Sequence, residues 1–228
     1  MGKVVKIDLK QIWSDFVRVY PTALNKIVSR WQLSLVCIFI IISVFYLDDS
    51  IRDFIISIKN GFASDVFDFG RWYGNGALTL YLFIALYFGG LFFKQYKVRD
   101  TGLLVGEAYI YSGIVTLLFK SLFGRWRPYT NHGDFAFSGW NWDNNDMFSF
   151  LSGHAAVSFA LSAALASSTK NIYLKSFYYL LAVITCLSRI YHNQHWPSDV
   201  VAGAINALLI TGTLVSLRKR RVAAEDIV

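Results

Sequence analysis

Charge is what this sequence lacks. Only 16% of its 228 residues are Asp, Glu, Lys or Arg, whereas soluble domains carry nearer a quarter. That shortfall, beside 55% hydrophobic residues and long apolar runs, excludes an ordinary soluble domain and points to an integral membrane protein. Cysteine is scarce too. Cys37 and Cys186 each fall inside an apolar run, which excludes a disulfide framework and reads as two buried free thiols. Acids are fewer than bases, 15 against 22. Beside the loop cations there is no acidic cluster of the kind a magnesium site uses. A net charge of +7 would indicate nucleic acid in a soluble protein. In a membrane protein its distribution across the bilayer matters instead, and no nucleic-acid partner is expected. Internal repeats, low-complexity tracts and dividing linkers are missing as well.

What is there is a series of six apolar runs. They cover Trp31 to Leu47 and about 75–93, 101–119, 152–168, 172–190 and 198–217. The spacing predicts an all-α, polytopic membrane protein with six transmembrane helices over 31–217. The first run has no small-residue cleavage site behind it, so it is expected to be a retained span rather than a removed signal peptide. Ahead of it, residues 1–30 form a cytoplasmic segment. There Leu9, Ile12, Trp13, Phe16 and Tyr20 recur at helical spacing, giving an amphipathic helix ended by Pro21, with a disordered basic tail as the alternative. Ile51, Phe54, Ile55 and Ile58 predict a short interfacial helix. The fourth run is rich in Ala and Ser, which permits close helix approach. Residues 218–228 begin Arg-Lys-Arg-Arg and form a basic cytoplasmic tail.

Lys and Arg are unevenly shared between the two faces. Residues 1–30, the 94–100 turn, Lys170, Lys175 and the tail hold fifteen of the 22. The other face holds Arg52, Lys59, Arg71, Lys120, Arg125, Arg127 and Arg189, together with nine acids. The positive-inside rule therefore puts both termini in the cytoplasm. The loops after spans one, three and five then face the periplasm or cell exterior of a bacterial membrane.

Three polar groups meet on that outer face. Lys120 with Arg127-Pro128 leaves span three, Ser152-Gly153-His154 enters span four, and Ser188-Arg189 through His195 to Asp199 joins spans five and six. Arg binds two oxygens of a phosphate in fork geometry. A helix N-terminus capped by Ser152, with Gly153 letting the backbone come close, adds free N–H groups. His195 and Asp199 are one helical turn apart, so the carboxylate can hold one imidazole nitrogen and leave the other to attack. Two histidines allow a nucleophile and a proton donor. Neither a metal nor any other cofactor is required, because the cations stabilise the developing charge.

These residues resemble the three signature motifs of the type-2 phosphatidic acid phosphatases, a superfamily that includes membrane lipid phosphate phosphatases and soluble vanadium haloperoxidases. The resemblance rests on Lys120-x6-Arg127-Pro128, Ser152-Gly153-His154 and Ser188-Arg189-x5-His195-x3-Asp199. It implies the helical-bundle core of that family. It implies that Lys120, Arg127, Arg189, Ser152 and the Gly153 amide bind phosphate. It makes His195 the nucleophile, Asp199 its orienting partner, and His154 the acid and then the base. The sequence departs from the pattern at Leu151, where Pro is usual, and the chemistry of Ser152 and His154 is still present. The expected activity is metal-independent hydrolysis of a lipid phosphomonoester or pyrophosphate at the outer face, through a phosphohistidine. Polyprenyl pyrophosphate, phosphatidylglycerol phosphate, phosphatidic acid and lipid A phosphates are candidate substrates. The alternatives are a lipid phosphotransferase with the same site, or a lipid or anion transporter that uses the cations only for binding.

Other polar residues have plainer readings. Arg52, Lys59 and Arg71 suit interfacial anchoring. Arg125 is a weaker candidate for a second phosphate contact. Glu107 is expected to pair with a base of the 94–99 turn. Trp140 and Trp142 fit an aromatic belt better than a substrate lid. His132 and His192 are assigned no chemistry.

Overall fold

The computed structural model describes residues 2–225, and the architecture is all-α. Among these residues there are nine α-helices and no strand. They are α1 (Gly2–Ser29), α2 (Trp31–Phe45), α3 (Asp48–Ser57), α4 (Gly61–Tyr73), α5 (Gly76–Phe92), α6 (Tyr96–Phe123), α7 (Gly153–Ser167), α8 (Ile172–Tyr191) and α9 (Pro197–Glu225). Helices α2 and α5–α9 occupy the six apolar runs. By length and composition, α6 and α9 can each cross a membrane alone. The α1–α2 and α4–α5 pairs qualify as pairs bent by 92° and 54°, and α7 is a shorter apolar helix. Several starts follow from sequence: Asn60, Asn75, Ser152 and Asn171 each accept a backbone N–H of the first turn they cap.

Pro21 does not end a helix. It lies inside α1, which runs on to Ser29. Proline removes one backbone hydrogen bond, but Val19 and Ala23 on either side of it are buried in the same hydrophobic cluster as Leu104, Ala108 and Leu214. Burial of that face outweighs the local break. Polar ties hold the rest of α1: Tyr87 donates to Asp8 at 2.9 Å, and Arg221 pairs with Asp15. The chain then turns sharply at Arg30 into α2, whose residues are all at least partly exposed, as a lipid-facing helix requires. Glu107 pairs with Arg218 of α9 at 2.7 Å, not with the 94–99 turn.

The core is built on α7. Its small residues Ala156, Ala160 and Ala164 are buried against α6 and α9, packing with Val105, Ala207 and Leu214. In a bilayer, close approach replaces hydrophobic drive as the source of helix–helix affinity. At the end of the bundle where α8 meets α9, Ile55 of α3 and Phe67 of α4 join Ile190, Tyr191 and Val200 in a second buried cluster. Cys37 and Cys186 are free thiols.

Candidate active site

The loop 124–152 folds back over the end of α6. Ser149 N–H donates to the Arg125 carbonyl, Arg127 N–H to Asp146, and Trp126 N–H to Ala136. This fold brings the end of α6, the start of α7 and the α8–α9 junction together. Lys120, on the last turn of α6, donates to the Phe148 carbonyl and, at 3.5 Å, to that of Ser149. A Cβ added at Gly153 would sit 3.9 Å from Lys120 Cε. Ser152 N–H donates to the Asp199 carbonyl at 3.0 Å, which ties the start of α7 to α9. Gly203 makes that contact possible, because a Cβ there would lie 2.6 Å from the Ser152 carbonyl oxygen.

His195 is 2% exposed, and its backbone N–H donates to Arg189 at 3.3 Å. Its Nδ1 faces Asp199 Oδ2 at 3.6 Å and Ser149 Oγ at 3.5 Å. The Ser149 hydroxyl donates to Asp199 Oδ2 at 2.5 Å. The other ring nitrogen, Nε2, is therefore left for chemistry. Burial pushes the His195 imidazole well below its ordinary value. The Asp199 carboxylate works against that shift, and Lys120 and Arg127 add to it. The ring is neutral at pH 7, as a nucleophile requires.

Arg127 is held by Asn145 and by Gln194 Oε1, at 3.0–3.1 Å. Arg189 is 5% exposed, and its Nε has no protein partner. It lines a cavity of about 520 Å³ with Arg71, Asn75, His154, His192 and Gln194. The eight residues expected at the site thus come together at the end of α6, the start of α7 and the α8–α9 junction: His154 and Arg189 line the cavity, and His195 is buried and bonded through its backbone to the Arg189 carbonyl.

Two further residues complete the cluster, and one candidate is reassigned. Arg125 is fully buried and contacts no open space. Its guanidinium spans Asp199 Oδ1 and Asp48 Oδ2, both at 2.7 Å, and also donates to Ser198 Oγ and the Asp134 carbonyl. With its donors engaged, it is a strut behind Asp199 rather than a phosphate contact. Asp48, the first residue of α3, also accepts Ser198 N–H at 2.7 Å. Burial pushes the Asp48 carboxyl up to about 6, while Arg125 and Ser198 pull it back down. Asp199 thus accepts from Arg125, Ser149 and the Trp196 N–H, so its orientation is set on every side. Of the remaining histidines, His132 stacks on Trp126 with centroids 3.9 Å apart, and His192 Nε2 lies 3.4 Å from Asp68.

Membrane helices whose ends gather Lys120, Arg127, Arg189, His154 and His195 define a polytopic, all-α membrane protein with a cation-rich pocket at one end. The profile of the PAP2 superfamily matches residues 101–223, which contain all three groups, and the chain belongs to that superfamily, the type-2 phosphatidic acid phosphatases. Two curated relatives are named lipid A 1-phosphatase. The Rhizobium johnstonii protein is 28% identical over 58% of this chain and 58% of its own length. The Porphyromonas gingivalis protein is 26% identical over 86% of this chain and 42% of its own length. The chain therefore spans about half the length of these relatives. Two solved structures share the fold. Aquifex aeolicus LpxE has a TM-score of 0.57 and 23% identity, covering 75% of this chain and 95% of that one. The PAP2-type phosphatidylglycerolphosphate phosphatase of Bacillus subtilis has a TM-score of 0.61 and 19% identity, covering 92% and 96%.

Proposed function

We propose that the protein is a lipid phosphatase that hydrolyses a phosphomonoester or pyrophosphate at the outer membrane face through a phosphohistidine. The observation that carries this reading is the buried His195, whose Nδ1 side is taken by Asp199 and Ser149. A binding or transport site has no use for an oriented, neutral imidazole. His195 Nε2 attacks phosphorus, and the bond to the leaving oxygen breaks. His154, protonated once the anionic substrate has offset the surrounding cations, gives that oxygen its proton. His154 then takes a proton from water, whose oxygen attacks the phosphohistidine and releases phosphate and free His195. Lys120, Arg127 and Arg189 hold the equatorial oxygens, with the Ser152 hydroxyl and the amide of Gly153 at the α7 N-terminus.

A lipid substrate follows from the position of the pocket at the ends of membrane helices, where a headgroup enters and its tails remain in the bilayer. The names of the curated relatives make a lipid A phosphate the first substrate to test. The other three candidate lipids follow. Purified protein should release phosphate from at least one of them with EDTA present, and folded His195→Ala protein should release none. Equal release by both proteins would remove His195 from the reaction. Transfer of the phosphoryl group to a second lipid, without free phosphate, would make the enzyme a transferase.

A further inference from the structure

Arg71 is a cation that the reaction above does not use. It sits in the last turn of α4 and is exposed, and it lines the same cavity as His154 and Arg189. Interfacial anchoring does not describe it, because its place over the pocket is built in. The Thr185 hydroxyl donates to the Gly70 carbonyl at 2.9 Å, and the Ser188 hydroxyl to that of Phe67 at 2.5 Å. A Cβ at Gly70 would lie 2.8 Å from the Ile184 carbonyl oxygen. One at Gly74 would lie 2.4 Å from Thr185 Cγ2 and 3.1 Å from the His154 carbonyl oxygen. The backbone on both sides of Arg71 is thus pressed onto α8, which carries Arg189, and onto the first turn of α7, which carries His154.

Charge makes the second half of the argument. Among the described residues no carboxylate lies within 4 Å of Arg71, and its neighbour Asp68 faces His192 instead, at 3.4 Å. Arg71 and Arg189 repel each other across the cavity. Three other cations, Lys120, Arg127 and Arg189, already serve the phosphate that reacts. A cavity of about 520 Å³ also exceeds what one phosphate fills, given that a water takes up about 30 Å³ and a phosphate is only a few times larger.

We propose that Arg71, with Asn75 and His192 beside it, forms a second anion subsite at the pocket mouth that holds a second phosphate of the substrate. This rests on the phosphatase reading for its purpose, but the subsite can be measured without turnover. Two sources supply such a group: the inner phosphate of a lipid diphosphate, or a separate phosphate elsewhere on a bis-phosphorylated headgroup.

Inorganic pyrophosphate and inorganic phosphate are the binding probes, read by the thermal shift of purified protein across a concentration series. Wild type should bind pyrophosphate on the order of tenfold more tightly than phosphate, the size of one charge-assisted contact. Arg71→Gln should remove that preference, and Arg71→Lys should keep part of it. Absence of the preference in wild type, or its survival in Arg71→Gln, overturns the subsite. Two substrate pairs then identify the source: farnesyl diphosphate against farnesyl phosphate, and bis-phosphoryl against monophosphoryl lipid A. Arg71→Gln should raise KM on the order of tenfold for the two-phosphate member of one pair. It should leave kcat and the one-phosphate member nearly unchanged, and an equal loss on both members of each pair overturns the assignment. A pyrophosphate preference without hydrolysis of any lipid would sink the phosphatase reading and leave the subsite standing.

Discussion

At the scale of single residues, Asp199, the acid proposed to orient His195, is itself held by a buried cation. Arg125 divides its guanidinium between Asp199 and Asp48, all three without solvent exposure. Removing one member of a buried ion pair leaves an uncompensated charge. Asp48→Asn retains an oxygen for the Ser198 N–H but loses the charge opposite Arg125. The guanidinium then leans on Asp199 alone and draws that carboxylate away from His195. We expect kcat to fall on the order of tenfold at pH 7.5, the size of a charge-assisted contact, with little change in KM. The effect depends on pH with a definite sign. Asp48 is lifted to about 6 by burial, so it is ionised at pH 7.5 and takes a proton as pH falls through that value. Below it, wild type loses the same charge that the variant lacks. The ratio of wild-type to Asp48→Asn kcat/KM should therefore shrink toward one by pH 5, and substrate ionisation cancels from the ratio. A ratio constant from pH 7.5 to 5 would show that the Asp48 charge does not act through Asp199.

At the scale of elements, the site depends on how closely α9 approaches the start of α7. A Cβ at Gly203 would meet the Ser152 carbonyl oxygen at 2.6 Å and Ala155 Cβ at 3.3 Å. The neighbour at 2.6 Å is backbone and cannot swing aside. Gly203→Ala should cost about 1–3 kcal/mol of stability by overpacking. It should also lower kcat more than KM, because the Ser152 cap and the Asp199 carbonyl move apart. Thermal melting in detergent, set beside kinetics on the best lipid substrate, checks both. An unchanged melting temperature with full activity would mean that α9 can retreat without disturbing the cap. Element by element, the sequence was most legible where chemistry sits at the ends of apolar runs. Lys120, Arg127 and Arg189 are marked both by motif spacing and by opposition to the positive-inside bias, and His154 and His195 by motif spacing. Arg125 gave no distinguishing local signal, because an Arg two residues from the motif residue Arg127 looks the same from the sequence. Its real partners, Asp48 and Asp199, are 77 and 74 residues away. Arg71 resembled any interfacial anchor until the packing of Gly70 and Gly74 against α8 placed it over the cavity. Pro21 misled for a related reason: local backbone chemistry says stop, and the burial of Val19 and Ala23 says continue.

At the scale of the whole molecule, sidedness decides which lipid pool the pocket can reach. The cluster of Lys120, Arg127, His154, Arg189 and His195 lies at one end of the bundle, and Asp15, Glu107, Arg218 and Arg221 tie α1, α6 and α9 together at the other. Fifteen of the 22 Lys and Arg residues fall in the segments on the second side, including the 94–100 turn and both termini. Cationic segments resist translocation, so that side is expected to be the cytoplasm and the pocket to open outward. Single cysteines test this directly. Cys37 and Cys186 are replaced by Ser, and Trp140→Cys or Lys97→Cys is introduced. Both positions are exposed, so accessibility does not bias the comparison. A membrane-impermeant maleimide added to intact cells, with an opened outer membrane where one is present, should label residue 140 and not residue 97. After lysis both should label. Residue 97 labelling from outside while 140 stays protected would turn the molecule over and place the phosphatase chemistry in the cytoplasm.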